Sequence, residues 1–210
     1  MSVQAKVCGL STPKTLTAAI AGGASHVGFV FFPDSPRNVS FERVAQLSAL
    51  VPSHVKRVGV FVNPDNAVVE QAIAAGHLDI LQLHSTTPAR AAAISKKGLE
   101  TWGVVAVRTR ADLDQATQWR SVAARVLFDA KTPAGSLPGG MGLRFDWTML
   151  DGFAHEMPWA LSGGLDADNL AEAVRMTGAP LVDISSGVES APGVKDMDKI
   201  AAFLKATSSL

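Results

Sequence analysis

Residues 159–189 read WALSGGLDADNLAEAVRMTGAPLVDISSGVE, and their punctuation sets the architecture. A short apolar run, WALS, breaks at Gly163 and Gly164. A stretch of helical period then opens near Asp168 and stops at Gly178. A second apolar run, residues 181–185, breaks at Gly187. Brief runs of Leu, Val, Ile and Trp bounded by glycine suit buried strands, and a glycine just past a periodic segment suits a helix end. The unit reads as strand, helix, strand, and two strands joined through a helix lie parallel.

Outward from this stretch, the same unit recurs. Strands are expected at 5–8, 26–32, 57–62, 80–84, 101–107, 125–130, 159–162 and 181–185. Helices are expected to open near Thr12, Phe41, Asn66, Thr87, Ala111, Asp146, Asp168 and Met197, several after Ser, Thr, Asp or Pro start signals. Gly22, Gly23, Gly76, Gly98 and Gly178 stand where helices should stop in a left-handed conformation. Because each strand is nearly all apolar, both of its faces must be covered, which favours a parallel sheet wrapped by helices over an antiparallel sandwich. Eight such units close into an α/β fold, a single-domain (β/α)8 TIM barrel spanning residues 1–210. An open doubly wound sheet commonly needs fewer strands, and no G-x-G-x-x-G follows the first one. The longest interruption, residues 131–144 (KTPAGSLPGGMGLR), is too rich in Gly and Pro for a helix and is expected as a mobile loop over the site.

Composition narrows the partner. Nineteen basic residues balance nineteen acidic ones, so no overall field attracts nucleic acid or an anionic membrane, and an anionic ligand must be held locally. The expected partner is a small molecule, with the chain a monomer or homodimer. One cysteine cannot form an internal disulfide, and MSVQAKVCGL lacks a basic segment followed by an apolar signal core, so the expected location is cytoplasmic. No apolar stretch approaches the roughly 20 residues that span a bilayer as a helix.

In such a barrel the strand C-termini and the loops after them build the active site. Those positions supply Cys8, Arg37, His84, Arg108, Asp129, Ser162-Gly163-Gly164 and Ser185-Ser186-Gly187. The two Gly-rich turns after strands seven and eight let backbone amides approach an anion and suggest a phosphate cradle of Gly163, Gly164, Ser185, Ser186 and Gly187. Cys8 ends the first strand before Gly9, where its thiol can face the barrel mouth beside a cation that lowers its pKa. Lys6, two residues earlier, shares that face one layer deeper and is either that cation or a buried ion-pair member. Asp129 closes an apolar strand, and its carboxylate is either an acid or base or the partner of a buried cation such as Lys6. A thiolate and a carboxyl group with separated pKa values would move a proton across a sugar. Arg37 lies in FFPDSPRNVS, a loop stiffened by two prolines, and its guanidinium can grip a carboxylate through two prongs. His84 has no companion ligands at suitable spacing, so no metal is expected.

The residues KVCGL, GFVFFPDSPRNVS, VGVFVN, LQLH, LFDAK, GGMGLRFDW, LSGGL and DISSGVE, in that order, resemble the phosphoribosylanthranilate isomerase family of tryptophan biosynthesis. The resemblance covers nearly the whole chain. It implies an Amadori rearrangement of a phosphoribosylated anthranilate that needs no cofactor. Carried over, Asp129 matches the general acid and Cys8 the general base, Arg37 matches the residue that binds the anthranilate carboxylate, and Gly164 and Ser186 lie in the phosphate motifs. Two positions depart from the family pattern. QLHS stands where QLHG is usual, and Met141 stands where a small hydroxyl residue is common. The nearest enzymatic alternative, the histidine-pathway aminoaldose isomerase, resembles a two-carboxylate solution, and Cys8 occupies the place of its first aspartate. A phosphate-binding sensor that has lost its chemistry is the alternative outside enzymes, and retention of both Cys8 and Asp129 argues against it.

Overall fold

The computed structural model describes residues 2–95, 98–133 and 142–210. Eight parallel strands close in chain order: β1 (Gln4–Cys8), β2 (His26–Phe31), β3 (Lys56–Val62), β4 (Ile80–His84), β5 (Glu100–Val107), β6 (Arg125–Ala130), β7 (Trp159–Ser162) and β8 (Leu181–Ile184). The barrel shuts where β8 pairs with β1, placing Lys6 opposite Asp183. Phe32 and Ser185 fall just outside the strands expected to contain them.

Among the described residues, six α-helices cover the outside: α1 (Pro13–Ala21), α2 (Phe41–Ser48), α3 (Asn66–Gly76), α4 (Pro88–Ser95), α5 (Leu170–Thr177) and α6 (Met197–Ser208). The starts of α1, α2 and α6 follow the expected capping chemistry. Thr12 and Ser40 accept from the amides of Thr15 and Arg43, and Asp196 accepts from those of Asp198 and Lys199. Of the expected helix stops, Gly23, Gly98 and Gly178 are left-handed, whereas Gly22 is not and α3 ends on His77 instead of Gly76. Gly76 answers to packing, since a Cβ there would lie 2.9 Å from the Leu78 side chain.

The two remaining helical places, near Ala111 and Asp146, are 3-10 helices at Arg110–Trp119 and Trp147–Leu150. In the first, Leu113, Ala116 and Trp119 are buried at a spacing of three, which three residues per turn brings into line on one face. Gly103 inside β5 makes room for that face: a Cβ there would sit 2.3 Å from the Trp119 ring. A small antiparallel hairpin, β9 (Glu189–Ala191) and β10 (Val194–Lys195), follows the barrel and was not expected, because runs of three and two residues carry no readable alternation.

Strand residues of alternate phase serve two apolar layers. Val7, Phe29, Phe61, Leu81, Val105, Phe128, Leu161 and Val182 pack outward with the helices, while Val58, Ile80, Trp102, Leu127, Ala160 and Leu181 fill the barrel interior. Among the described residues no helix is long and apolar enough to cross a membrane. Of the expected loop over the site, residues 134–141, including Met141, lie outside the described residues.

Candidate active site

On the inward phase the residue types change along the barrel axis. Below lie the apolar side chains named above; above them, toward the strand C-termini, lie Lys6 and Cys8, Gln82 and His84, Asp129, Ser162 and Asp183. Lys6 is fully buried, so its position in that layer requires a counter-charge. The partner is Asp183, with Nζ 2.8 Å from Oδ1, and not Asp129. Barrel closure explains the choice, because β8 lies beside β1 and brings Asp183 level with Lys6. Burial lowers the Lys6 ammonium, but the opposed charges of Asp183 and then Cys8 outweigh it and leave the pKa raised. Lys6→Met is expected to destabilise the fold by about 3–5 kcal/mol, because it strands a buried carboxylate. Urea unfolding tests this, and a loss under about 1 kcal/mol would show that the ion pair does not hold the closure.

Two of the cavities that open from this layer meet. The larger, about 560 Å³, is lined by apolar groups from β2 and β3 together with Cys8, Arg37, Gln82 and His84. The second, about 350 Å³, is bounded by the turns holding Gly163, Gly164, Ser186 and Gly187. Asp129, Ser162, Asp183 and Ser185 line both. The glycines of the second lobe are there for want of space as well as conformation. Gly163 and Gly164 are left-handed, and a Cβ on Gly163 would stand 2.8 Å from Asp129 Oδ1.

Asp129 is raised to about 7, by burial first and then by the Asp183 carboxylate, with the Ala130 amide, which donates to Oδ1 at 2.9 Å, pulling the other way. A carboxyl group that ionises near neutrality can give up and recover a proton in one cycle. Burial also raises the Cys8 thiol; Lys6 and Lys195 draw it down and Asp183 pushes it up. Lys6 is therefore both the ion-pair member and the cation that draws the thiol down most, where the sequence left the two readings open. Gly28 on β2 accommodates them: a Cβ there would lie 3.0 Å from Cys8 Sγ and 3.3 Å from Lys6 Cε.

His84 is held at about 4 by burial and then by the Lys6 charge, so it is a neutral imidazole at physiological pH. The Gln82 amide lies 3.0 Å from its Nε2 and fixes the ring, making His84 a hydrogen-bonding wall of the larger lobe. Arg37 lines the same lobe, and its Nε and Nη2 donate to Glu189 at 2.8 and 2.7 Å. Arg108 is not brought to the site: it is exposed beyond β5, where its amide donates to Asp112 in the cap of the first 3-10 helix.

Asp183, Gln82, Glu189 and Lys195 belong to the surroundings of the site without having been singled out in the sequence. Asp183 carried a signal, an aspartate inside the apolar run LVDI, of the same kind that marked Asp129 in VLFDA. Glu189 and Lys195 carried none, since they meet Arg37 only through the hairpin.

With this geometry in view, comparison with known proteins gives a consistent result. The family described as N-(5'-phosphoribosyl)anthranilate (PRA) isomerase matches residues 5–206. An N-(5'-phosphoribosyl)anthranilate isomerase of Zymomonas mobilis subsp. pomaceae is 53% identical, with all of both chains covered. The crystal structure of phosphoribosyl anthranilate isomerase from Thermotoga maritima is 32% identical and superposes with a TM-score of 0.86 over 99% of this chain and 100% of that one. Another phosphoribosyl anthranilate isomerase structure, in complex with reduced 1-(o-carboxyphenylamino)-1-deoxyribulose 5-phosphate, is 30% identical with a TM-score of 0.83 over 99% and 100% of the two chains. The match spans the barrel from β1 into α6 and includes every strand that lines the two lobes, and the chain belongs to the N-(5'-phosphoribosyl)anthranilate isomerase family.

Proposed function

We propose that this chain converts N-(5'-phosphoribosyl)anthranilate to 1-(2-carboxyphenylamino)-1-deoxyribulose 5-phosphate in tryptophan biosynthesis, with Asp129 as general acid and Cys8 as general base. The observation that carries the assignment of roles is the two-lobed cavity whose waist is Asp129, Ser162, Asp183 and Ser185. A substrate with a phosphate at one end and an aromatic acid at the other fits that division. The smaller lobe, rich in glycine and serine amides, suits the phosphate, with Gly163, Gly164, Ser185, Ser186 and Gly187 around it. The larger lobe, with Val30, Phe32, Val60 and Val62 on its wall, suits the anthranilate ring, and Arg37 suits its carboxylate.

Between the lobes the ribose meets both reacting groups. Asp129 protonates the ring oxygen as the C1'–O bond breaks, and the nitrogen lone pair forms an iminium. The Cys8 thiolate takes the C2' proton, and the electrons of that C–H bond move through C1' to the nitrogen. The resulting enolamine takes a proton at C1' and gives up its C2' hydroxyl proton as it becomes the ketone, so that one proton leaves the thiol and one returns to the carboxylate. The substrate nitrogen is the electron sink, so the steps draw on no cofactor.

We read residues 1–210 as one catalytic domain acting in the cytoplasm as a monomer or homodimer. The test of the assignment is turnover of purified N-(5'-phosphoribosyl)anthranilate beside the histidine-pathway aminoaldose. The anthranilate compound is expected to be consumed, and turnover of the aminoaldose alone would overturn the proposal.

A further inference from the structure

Resting on the reading of Arg37 as the carboxylate-binding group, we infer that Lys195 is a specificity-determining residue that acts through Arg37, by returning a positive charge to a cluster that would otherwise be neutral. The starting point is the Arg37–Glu189 pair. Both residues are buried, and the guanidinium meets both carboxylate oxygens at 2.8 and 2.7 Å. Such a pair is electrically neutral, and a neutral pair draws a substrate carboxylate out of water far less than a lone guanidinium does.

Lys195 alters that balance. Its side chain is 1% exposed, and Nζ donates to Glu189 Oε1 at 2.7 Å. Arg37, Glu189 and Lys195 together therefore carry one net positive charge in a water-poor wall of the larger lobe. Nζ also donates to the Ser185 carbonyl at 2.8 Å and lies 3.3 Å from its Oγ, so the charge is fixed against the turn that lines both lobes. The hairpin sets the geometry. The Gly193 amide donates to Glu189 Oε2 at 3.2 Å, and a Cβ on Gly193 would lie 2.5 Å from the Pro36 carbonyl, so the β9–β10 turn is pressed directly against the Arg37 loop. Burying a third charge beside an already matched pair carries a heavy desolvation penalty, and packing alone gives no reason for it.

Charge arithmetic supplies the test. Binding is measured by calorimetry with two ligands, the reduced product analogue and its aniline counterpart, which lacks only the carboxylate. Lys195→Met takes the cluster to zero and is expected to weaken the carboxylated ligand about 10- to 100-fold, as one charge acting over several ångströms would. The aniline ligand should change less than about 3-fold. Glu189→Gln combined with Lys195→Met returns the cluster to one positive charge and should recover most of the lost preference, whereas residues with only a packing role would show added damage. Equal weakening of both ligands by Lys195→Met, or no recovery in the double variant, overturns the inference. Should Lys195→Met fail to fold, Lys195→Gln, which keeps a donor for Ser185, carries the same comparison. Arg37→Met separates the two readings. If it leaves the carboxylate preference intact, the assignment of Arg37 fails; if it abolishes the preference while Lys195→Met does not, only the role of Lys195 fails.

Discussion

Asparagine in place of Asp129 is expected to lower kcat by about 10²- to 10⁴-fold, the range of a positioned general acid, while making the protein more stable above neutral pH. The two effects have one source. Burial and the neighbouring Asp183 raise the Asp129 carboxyl to about 7 from an ordinary 3.8. Between those values the folded chain holds a proton that the unfolded chain has released, so stability falls as pH climbs from about 4 to about 7 and then levels off. A rise of that size corresponds to roughly 4 kcal/mol at its full extent. Asparagine has no proton to lose and keeps an acceptor for the Ala130 amide, so its advantage should be absent near pH 4 and greatest above pH 7. Thermal unfolding of both proteins at pH 5 and pH 8 checks the sign; an Asp129→Asn protein less stable than wild type at pH 8 would refute the account.

Alanine in place of Cys8 is expected to reduce kcat by a comparable 10²- to 10⁴-fold. The pH profile says more than the size. The proposed roles need a protonated carboxyl beside a thiolate, yet burial holds the thiol above its ordinary value while Asp129 ionises near 7. The productive combination is then a minor population, whose share rises with pH to about 7 and stays level until the thiol itself ionises. The kcat/KM of the wild-type enzyme should follow that shape. Asp129→Asn should lose the plateau, its residual rate climbing above pH 7 with the thiolate alone. A high-pH limb that is the same in wild type and Cys8→Ser would rule out the thiol as the titrating base.

Much of the barrel was legible because the requirement behind it is local. A strand covered on both faces must be apolar throughout, and glycine or a capping residue must break the chain at each end. The positions of Cys8 and Asp129 followed from the same logic, and a buried ion pair was one of the two readings of Lys6. What the sequence withheld depends on closure. The sequence offered Asp129 as a partner for Lys6, and the β1–β8 register gives that place to Asp183. Arg108 follows a strand that Val107 ends, as Cys8 and His84 end theirs, but its side chain is exposed and its amide caps a helix instead. Glu189 and Lys195 reach Arg37 through a turn whose two short strands leave no periodic trace. The 3-10 helices were misjudged in type for a related reason, since spacing by three also occurs within an α-helical pattern.

The contact between Lys6 and Asp183 joins residues 177 apart in sequence, across the seam where the first strand meets the last. As the chain emerges from the ribosome, β1 must carry an unmatched ammonium until β8 arrives, and Asp129 lacks the neighbour that helps hold its proton. Neither the buried ion pair nor the charge that helps raise the Asp129 carboxyl is therefore in place before the barrel closes.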